Sequence, residues 1–433
     1  MRIVIIGGGF AGVNLAMDLA KNKKFDVTLV DKNNYNFFPP LIYQVATAFL
    51  EPSSISYPFR KLFSERRNLH FRLGEFTRVI PEENRIILAN GELEYDQLVF
   101  ATGAETNFFG MENVKNNSTP MKTLEDAIGM RNKLLQQMEK ATICEDPAEV
   151  KKLLTVVIAG GGPTGVEISG MFAEMRNGVL RKEYPELAGK GSEIYLVDGG
   201  DALLSPMSVK SQQDTYEALS KLGVKIKLNA HVVDFKEDKV YFTDGEFIET
   251  KTLIWAAGVT GKVFDGVPPE AYGRGRRMLV DAYNKVNGLH NIYAIGDACL
   301  QLTDANFPQG HPQVAQVAIQ QGKTLAHNFK AADENKTLKP FAYHDKGSMA
   351  IIGRAKAVVD MPRPKLHFKG LIAWLAWLFI HLIALINQRN RIKTLYNWMV
   401  AYFTKDQSLR MIIKPAERDE QEAPVPIQKV PSI

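Results

Sequence analysis

The chain writes the same glycine-rich turn twice, and that repetition constrains its fold more than any other feature. The first turn is Gly7-Gly8-Gly9-Phe10-Ala11-Gly12 and the second is Gly160-Gly161-Gly162-Pro163-Thr164-Gly165. Each follows an apolar run, Val4-Ile5-Ile6 or Val156-Val157-Ile158-Ala159, and is expected to open a helix. Gly7 and Gly160 permit the tight bend out of the strand. Gly9 and Gly162 let the backbone approach a pyrophosphate, and Gly12 and Gly165 let the helix pack closely on the sheet. The pyrophosphate then rests on free N–H groups at the helix N-terminus. One such turn is a weak signal, because glycine-rich corners also occur in α/β domains that bind nothing. Two predict two nucleotide cofactors, most simply a flavin that stays and a nicotinamide that visits.

A carboxylate at the end of the next strand completes each unit by holding ribose hydroxyls. In the first unit it is Asp31, closing Asp26-Val27-Thr28-Leu29-Val30, and Lys32 follows it. In the second it is Asp198 after Glu193-Ile194-Tyr195-Leu196-Val197, with Lys182 to Gly191 as an insertion before it. Gly199-Gly200-Asp201 follow, offering no Arg or Lys to a 2′-phosphate. This favours NADH over NADPH.

Three shorter segments belong with these turns. Gln97-Leu98-Val99-Phe100-Ala101-Thr102-Gly103 and Thr252-Leu253-Ile254-Trp255-Ala256-Ala257-Gly258 both read as a strand ending where the chain crosses a cofactor. Asn291-Ile292-Tyr293-Ala294-Ile295-Gly296-Asp297 is a buried strand whose aspartate can accept a hydrogen bond from a ribityl hydroxyl of FAD. The 433 residues leave room for two or three domains. Only two cysteines are present, Cys144 and Cys299, so neither a disulfide framework nor a Cys/His metal site is expected. The first strand begins at once, with no signal-peptide pattern, and a cytoplasmic, reducing compartment is the simplest reading.

The order of these motifs resembles the two-dinucleotide-binding-domain flavoproteins. Within them the chain is most similar to the type II NADH dehydrogenases, single-subunit NADH:quinone oxidoreductases. Asn36-Phe37-Phe38-Pro39-Pro40-Leu41-Ile42-Tyr43-Gln44-Val45-Ala46-Thr47 resembles the family's segment running past the flavin. Val166-Glu167 falls where the family places a glutamate in the nicotinamide site. Ala315-Gln316-Val317-Ala318-Ile319-Gln320-Gln321-Gly322 resembles its quinone-site signature. The resemblance implies an α/β fold with two Rossmann-like dinucleotide-binding domains and a C-terminal membrane-associating helical region. It implies FAD contacts at Gly7, Gly9, Gly12, Asp31, Lys32, Thr47, Thr102, Gly103, Asp297 and Ala318. NADH contacts would fall at Gly160, Gly162, Gly165, Glu167, Asp198 and Gly258. It also implies a homodimer and a non-proton-pumping respiratory role.

The signature also makes sense unaided, since Gln316 and Gln320 are four apart and share one helix face. Two amides there could orient a quinone (menaquinone or ubiquinone), with the small Ala315 and Ala318 leaving room for flat rings. Lys369 resembles a lysine near the family's quinone pocket, where it would stabilise a developing quinol anion. A plain phospholipid contact is the other reading of Lys369.

Gly370 to Ile386 is apolar all round, with His381 its only ionisable side chain, so it does not suit a half-buried surface helix. At roughly 25 Å it is short of the roughly 30 Å hydrocarbon core. From Met361 to Lys405 there is no Asp or Glu, and there are seven Lys or Arg, against a whole-chain excess of +5. Trp374, Trp377, Tyr396, Trp398 and Tyr402 would sit at the headgroup level of an anionic surface. Surface anchoring at the cytoplasmic face of the membrane is favoured over a tilted span or a protein-buried helix. Nucleic acid is discounted, because the charges bracket a greasy helix.

The expected organisation is an FAD-binding domain over 1–118 and 290–355, an NADH-binding domain over 119–289, an anchoring region over 356–413 and a disordered tail over 414–433. Three other readings stand beside the dehydrogenase. A sulfide:quinone oxidoreductase needs a reactive cysteine pair at the flavin. A ferredoxin reductase would not need the basic apolar helix. A non-enzymatic NADH-binding redox sensor leaves Gln316, Gln320 and the anchor unexplained.

Overall fold

The computed structural model describes residues 1–404 and 410–412, so the expected tail over 414–433 and the basic Lys405 lie outside the described residues. Two five-stranded parallel sheets carry the chain. In the first, Ile292–Ala294, Gln97–Phe100, Arg2–Ile6, Asp26–Asp31 and Leu69–Leu73 lie side by side in that order. In the second the order is Thr119–Pro120, Thr252–Trp255, Val156–Ala159, Ile194–Val197 and Val224–Lys227.

Both central strands are apolar at every interior position because both faces of each sheet are covered. Ile3 and Ile5 pack with the helix side of the first unit, while Val4 and Ile6 pack on the opposite face. In the second unit Val156 and Ile158 face one core, and Val157 and Ala159 the other. Glu105–Thr106 pairs antiparallel with Val259–Thr260, so the two chain crossings between the units are hydrogen-bonded to each other.

Two segments beyond the nucleotide sheets pack across long sequence distances. Phe264, Val267, Met278, Val280 and Val286 pack in one cluster with Val4, Ile6, Phe76 and Phe100. Val79 N–H also donates to Asp265 O at 3.0 Å. Residues from Phe264 to Val286 thus pack on the first unit. The expected cut at 355/356 falls inside a hairpin, since Ser348–Gly353 pairs antiparallel with Lys356–Pro362, which pairs with Lys365–Lys369.

This C-terminal sheet lies on the helix Pro163–Met175 that opens the second turn. Gly170 makes the approach possible, because a Cβ there would stand 1.7 Å from the Ile352 carbonyl oxygen. Two helices follow, Gly370–Ala384 and Gln388–Thr404. The second is fastened to the first unit along residues 51–56. Lys393 pairs with Glu51, Thr394 donates to Ser54 O (3.2 Å) and Asn390 to Ser56 O (3.0 Å).

The apolar helix differs from expectation in a useful way. Ala373 and Trp377 are buried against the protein, whereas Ile372, Phe379 and Ile380 are exposed. It is a half-buried helix after all, and the amphipathic criterion misses it because the outer face is apolar too. Nor do all the aromatics point outward. Trp377 and Trp398 are buried, and Trp398 Nε1 donates to Gln44 Oε1 at 2.8 Å. Among the described residues, no helix is long and apolar enough to cross a membrane.

The two nucleotide turns and the carboxyl between them

At the first turn Gly7 has φ +104° and its missing Cβ would lie 2.3 Å from Ala101 O, the end of the neighbouring strand. A Cβ on Gly12 would fall 1.9 Å from Gly7 O. Gly9 is different: nothing lies within 4 Å of its Cβ position, and it opens the helix Phe10–Leu19 with no side-chain cap. The N-terminal N–H groups thus face open space that a pyrophosphate can fill. Asp31 accepts from Gly8 N at 2.6 Å and from Asn33 N at 2.7 Å, so it braces the turn it was expected to serve. Burial pushes its carboxyl up from the ordinary value, against those two donors. Lys32 beside it is exposed.

Thr102 and Gly296 lie beside the same turn. Thr102 Oγ1 is buried without a hydrogen-bond partner, and Gly103 beside it has φ +68° with open space around it. Gly296 (φ +70°) packs on Ala11 and Ala318, which sets Asp297 next to the helix that carries the turn. Thr47 is buried, and its hydroxyl donates to Tyr43 O at 3.0 Å. An orphaned hydroxyl and an open glycine cradle at a helix start are what FAD requires, and the residues present fit it.

Sequence reasoning missed three supports here. Gln321 is buried and accepts from Gly296 N at 2.7 Å, fixing the Gly-Asp turn. Gly322 lets the helix Ala315–Asp333 approach Ala11 O, where a Cβ would stand 2.7 Å away. Lys122 brings its ammonium to 3.9 Å from Asp297. The Gln320-Gln321-Gly322 run was legible as a motif, but only the fold shows which glutamine turns inward.

The second turn repeats the geometry of the first. Gly160 has φ +114° with its Cβ position 2.5 Å from Ala256 O, Gly165 abuts Gly160 O, and Gly162 has nothing within 4 Å. Asp198 accepts from Gly161 N and from Gly200 N. A hollow of about 690 Å³ opens beside it, lined by Gly160, Asp198, Gly199, His231, Val232 and Phe109 among others. Among the described residues no Lys or Arg lines it, which suits a ribose with a free 2′-hydroxyl. Gly258 lies under the Phe109 ring, whose Cζ is 2.9 Å from its Cβ position.

Glu167 is fully enclosed where the helix of the second turn meets the C-terminal sheet and the apolar helix. Ile351 N approaches its Oε1 at 3.5 Å. The Trp377 indole N–H faces the same carboxyl without forming a well-shaped hydrogen bond. Burial dominates and pushes the carboxyl up to about 8, so it keeps its proton at neutral pH. Tyr43, buried beside it, is raised well above its ordinary value by burial first and by Glu167 second. His381 stacks on Trp377 with ring centroids 3.9 Å apart, and its Nδ1 lies 2.8 Å from Trp377 O. Burial lowers it to about 4, so the imidazole is neutral.

The expected quinone-site residues are brought to one helix face, but their amides are engaged. Gln316 donates to Gly347 O (2.8 Å) and accepts from Lys346 N (3.1 Å). Gln320 donates to His344 O (2.9 Å) and accepts from His344 N (3.0 Å). Together they clip the 344–347 segment to the helix. Lys369 precedes the apolar helix without capping it and pairs with Asp214 at 2.8 Å, which raises its ammonium pKa.

Comparison with known proteins now decides the family. Residues 1–322 match the pyridine nucleotide-disulphide oxidoreductase family model and residues 345–411 the NDH2 C-terminal domain. The chain is 35% identical to the type II NADH:quinone oxidoreductase NdhA of Mycobacterium tuberculosis over 93% of its own length and 87% of that protein's. It belongs to the type II NADH:quinone oxidoreductases. A second such enzyme of that organism, Ndh, is 33% identical over 93% of this chain and 88% of its own. The structure of NDH2 from Plasmodium falciparum in complex with NADH superposes with a TM-score of 0.87, at 23% identity, covering 95% of this chain and 99% of that one.

The type II enzyme thus transfers electrons from NADH to a quinone with FAD as its flavin. A sulfide:quinone oxidoreductase from Aquifex aeolicus shares the fold, with a TM-score of 0.70 at 19% identity, covering 94% of this chain and 96% of that one. This chain lacks that chemistry's thiols. Cys299 is buried, pushed up to about 11 and bonded to Gln321, and Cys144 lies beyond the distant helix Leu124–Ile143.

Proposed function

We propose that NADH docks on the second turn, that a membrane quinone is reduced where the C-terminal helices meet the first unit, and that Glu167 holds a proton between the two. The single observation that carries this reading is the placement of a buried carboxyl against Trp377, on the helix whose other face is bare and apolar.

FAD, when bound, supplies the two-electron chemistry that links a hydride donor to a quinone. The chain's own residues bind, orient and exclude water. Gly160, Gly162 and Gly165 seat the NADH pyrophosphate, and Asp198 takes the ribose. Asp297, Thr102 and the first turn hold the flavin nucleotide. Quinone reduction consumes two protons, and Glu167 is a carboxylic acid with one to give at neutral pH. Gln316 and Gln320 act here by fixing the 344–347 segment beside the site. Lys369, exposed at the helix start, is paired with Asp214 and fastens the start of the anchor to the second unit.

The exposed face of Gly370–Ala384 and Gln388–Thr404, including Ile372, Phe379, Ile392 and Met399, rests on the membrane at its cytoplasmic side. Not all of the basic excess faces the lipid. Lys393 is spent on Glu51, and Arg391 donates to Ile383 O and Leu385 O at the end of the apolar helix. A homodimer belongs to the same reading, and sedimentation of the detergent-solubilised holoenzyme tests it.

The deciding experiment is NADH oxidation by flavin-loaded protein with soluble menaquinone and ubiquinone analogues, with NADPH and sulfide as other donors. Quinone-dependent oxidation of NADH alone is expected. Flavin reduction without quinone turnover would move the acceptor to another protein.

A further inference from the structure

Two phenylalanines follow one another at the crossing between the units, and they do opposite things. Phe108 turns inward and stacks on Trp255, with ring centroids 6.1 Å apart. Phe109 is 61% exposed and lies edge-on to the same indole at 6.4 Å. Its backbone is left-handed, φ +51°, followed by Gly110 at φ +79°. A bulky residue is disfavoured in that region, and such conformations persist where the surroundings over-determine them, often at ligand clamps.

The surroundings here are specific. Asn107 Oδ1 accepts from Phe109 N at 2.9 Å, and Asn107 O accepts from Trp255 Nε1 at 2.8 Å. Asn107 N–H donates to Gly258 O at 3.1 Å. This residue is thereby pinned to the strand end of the second unit. The Phe109 ring covers Gly258, where a side chain would collide with it, and its outer face lines the hollow beside Asp198, Gly200 and His231. The ring comes from the crossing between the units but forms a wall of the second unit's nucleotide hollow. Val232 and Val233, the latter exposed, line the same hollow. An exposed aromatic ring and two valines lining one hollow with the Asp198 carboxylate suit a purine.

We propose that Phe109 is a positioning residue for NADH, forming the aromatic wall on which the adenine ring stacks. This rests on the reading that NADH occupies the second turn. The cost of holding Phe109 left-handed and exposed without ligand is then recovered when the adenine covers it. Stacking a base on an aromatic side chain makes an appreciable, sequence-tolerant contribution to binding. The contact acts on the adenosine half alone, so it should change affinity for NADH without touching the hydride step.

The test uses flavin-loaded holoenzyme and adenosine diphosphoribose, which carries the adenosine and pyrophosphate but no nicotinamide. Calorimetric titration of Phe109→Ala should show about tenfold weaker binding than wild type, about 1.4 kcal/mol. Phe109→Trp should restore it. In turnover, Phe109→Ala should raise KM for NADH with kcat unchanged, and leave kcat/KM for reduced nicotinamide mononucleotide at the wild-type value. Flavin absorbance confirms that each variant is folded. Equal adenosine diphosphoribose affinity in wild type and Phe109→Ala overturns the inference while leaving the NADH site standing. A wild-type holoenzyme that binds neither probe overturns the site reading itself.

Discussion

Glu167 and Trp377 meet in the interior: the carboxyl from the helix of the nicotinamide turn faces the indole N–H of the helix whose other side is bare and apolar. They are 210 positions apart in sequence by their numbering (377 − 167). The contact ties the nucleotide unit to the anchor and keeps a proton where the two join.

The pH behaviour of this pair follows from its sign. An unfolded glutamate ionises near its ordinary 4.5, whereas the folded carboxyl is raised to about 8. The folded state therefore holds the extra proton in between, and the stability contributed below pH 4.5 is lost as pH rises toward 8. Glu167→Gln removes that loss, so the variant should exceed wild type by on the order of 3 kcal/mol at pH 7 relative to pH 4.5. Thermal melts of both holoenzymes at pH 5, 7 and 8 check this. Equal pH slopes would show that the carboxyl ionises normally. Quinone-dependent kcat of wild type should fall as pH passes 8, and that of Glu167→Gln should be low and flat.

The glycines of each turn should separate by role. Gly165→Ala forces a Cβ onto a backbone oxygen, and overpacking of this kind costs about 1–3 kcal/mol or more. Its melting temperature should drop. Gly162→Ala meets nothing in the chain and should melt like wild type while kcat/KM for NADH falls at least about tenfold, since its methyl occupies the pyrophosphate's approach. Gly9→Ala should likewise fold and lose flavin on gel filtration.

Gln316 and Gln320 each make a pair of hydrogen bonds to the backbone of 344–347, typically about 1 kcal/mol apiece. Alanine at either position should speed amide hydrogen exchange at His344 and Lys346. A rise in the quinone KM should track that loosening. A KM rise with unchanged exchange would instead make these amides direct quinone contacts.

Phe379 and Ile392 are 64% and 69% exposed, one on each C-terminal helix. Burying a large apolar side chain is worth about 1.5–3 kcal/mol. Phe379→Asp combined with Ile392→Asp should therefore cut binding to vesicles containing an anionic phosphatidylglycerol fraction by roughly a hundredfold or more. NADH oxidation with a water-soluble acceptor should stay at the wild-type rate. Undiminished vesicle binding would place the membrane contact elsewhere.

Much of the nucleotide machinery was legible because it is local. A strand, three glycines and an aspartate fall within one βαβ unit; spacing picks out Gly7, Gly9, Gly12 and Asp31, then Gly160, Gly162 and Gly165, while Asp198 is read from the end of the next strand, past an insertion. The apolar helix was legible from composition, but its orientation was not. Which tryptophans turn inward depends on Gln44 and Glu167, residues hundreds of positions away.

The sequence by itself determined two nucleotide units, their order, and a greasy, basic C-terminus, because each of these is set by backbone sterics or side-chain solubility over a short stretch. Only the tertiary structure decided that Glu167 is enclosed and protonated, that Gln316 and Gln320 are clips, and that Phe109 walls the second unit's hollow. Those properties arise from desolvation and hydrogen-bond partners supplied by distant segments, and no local pattern encodes them.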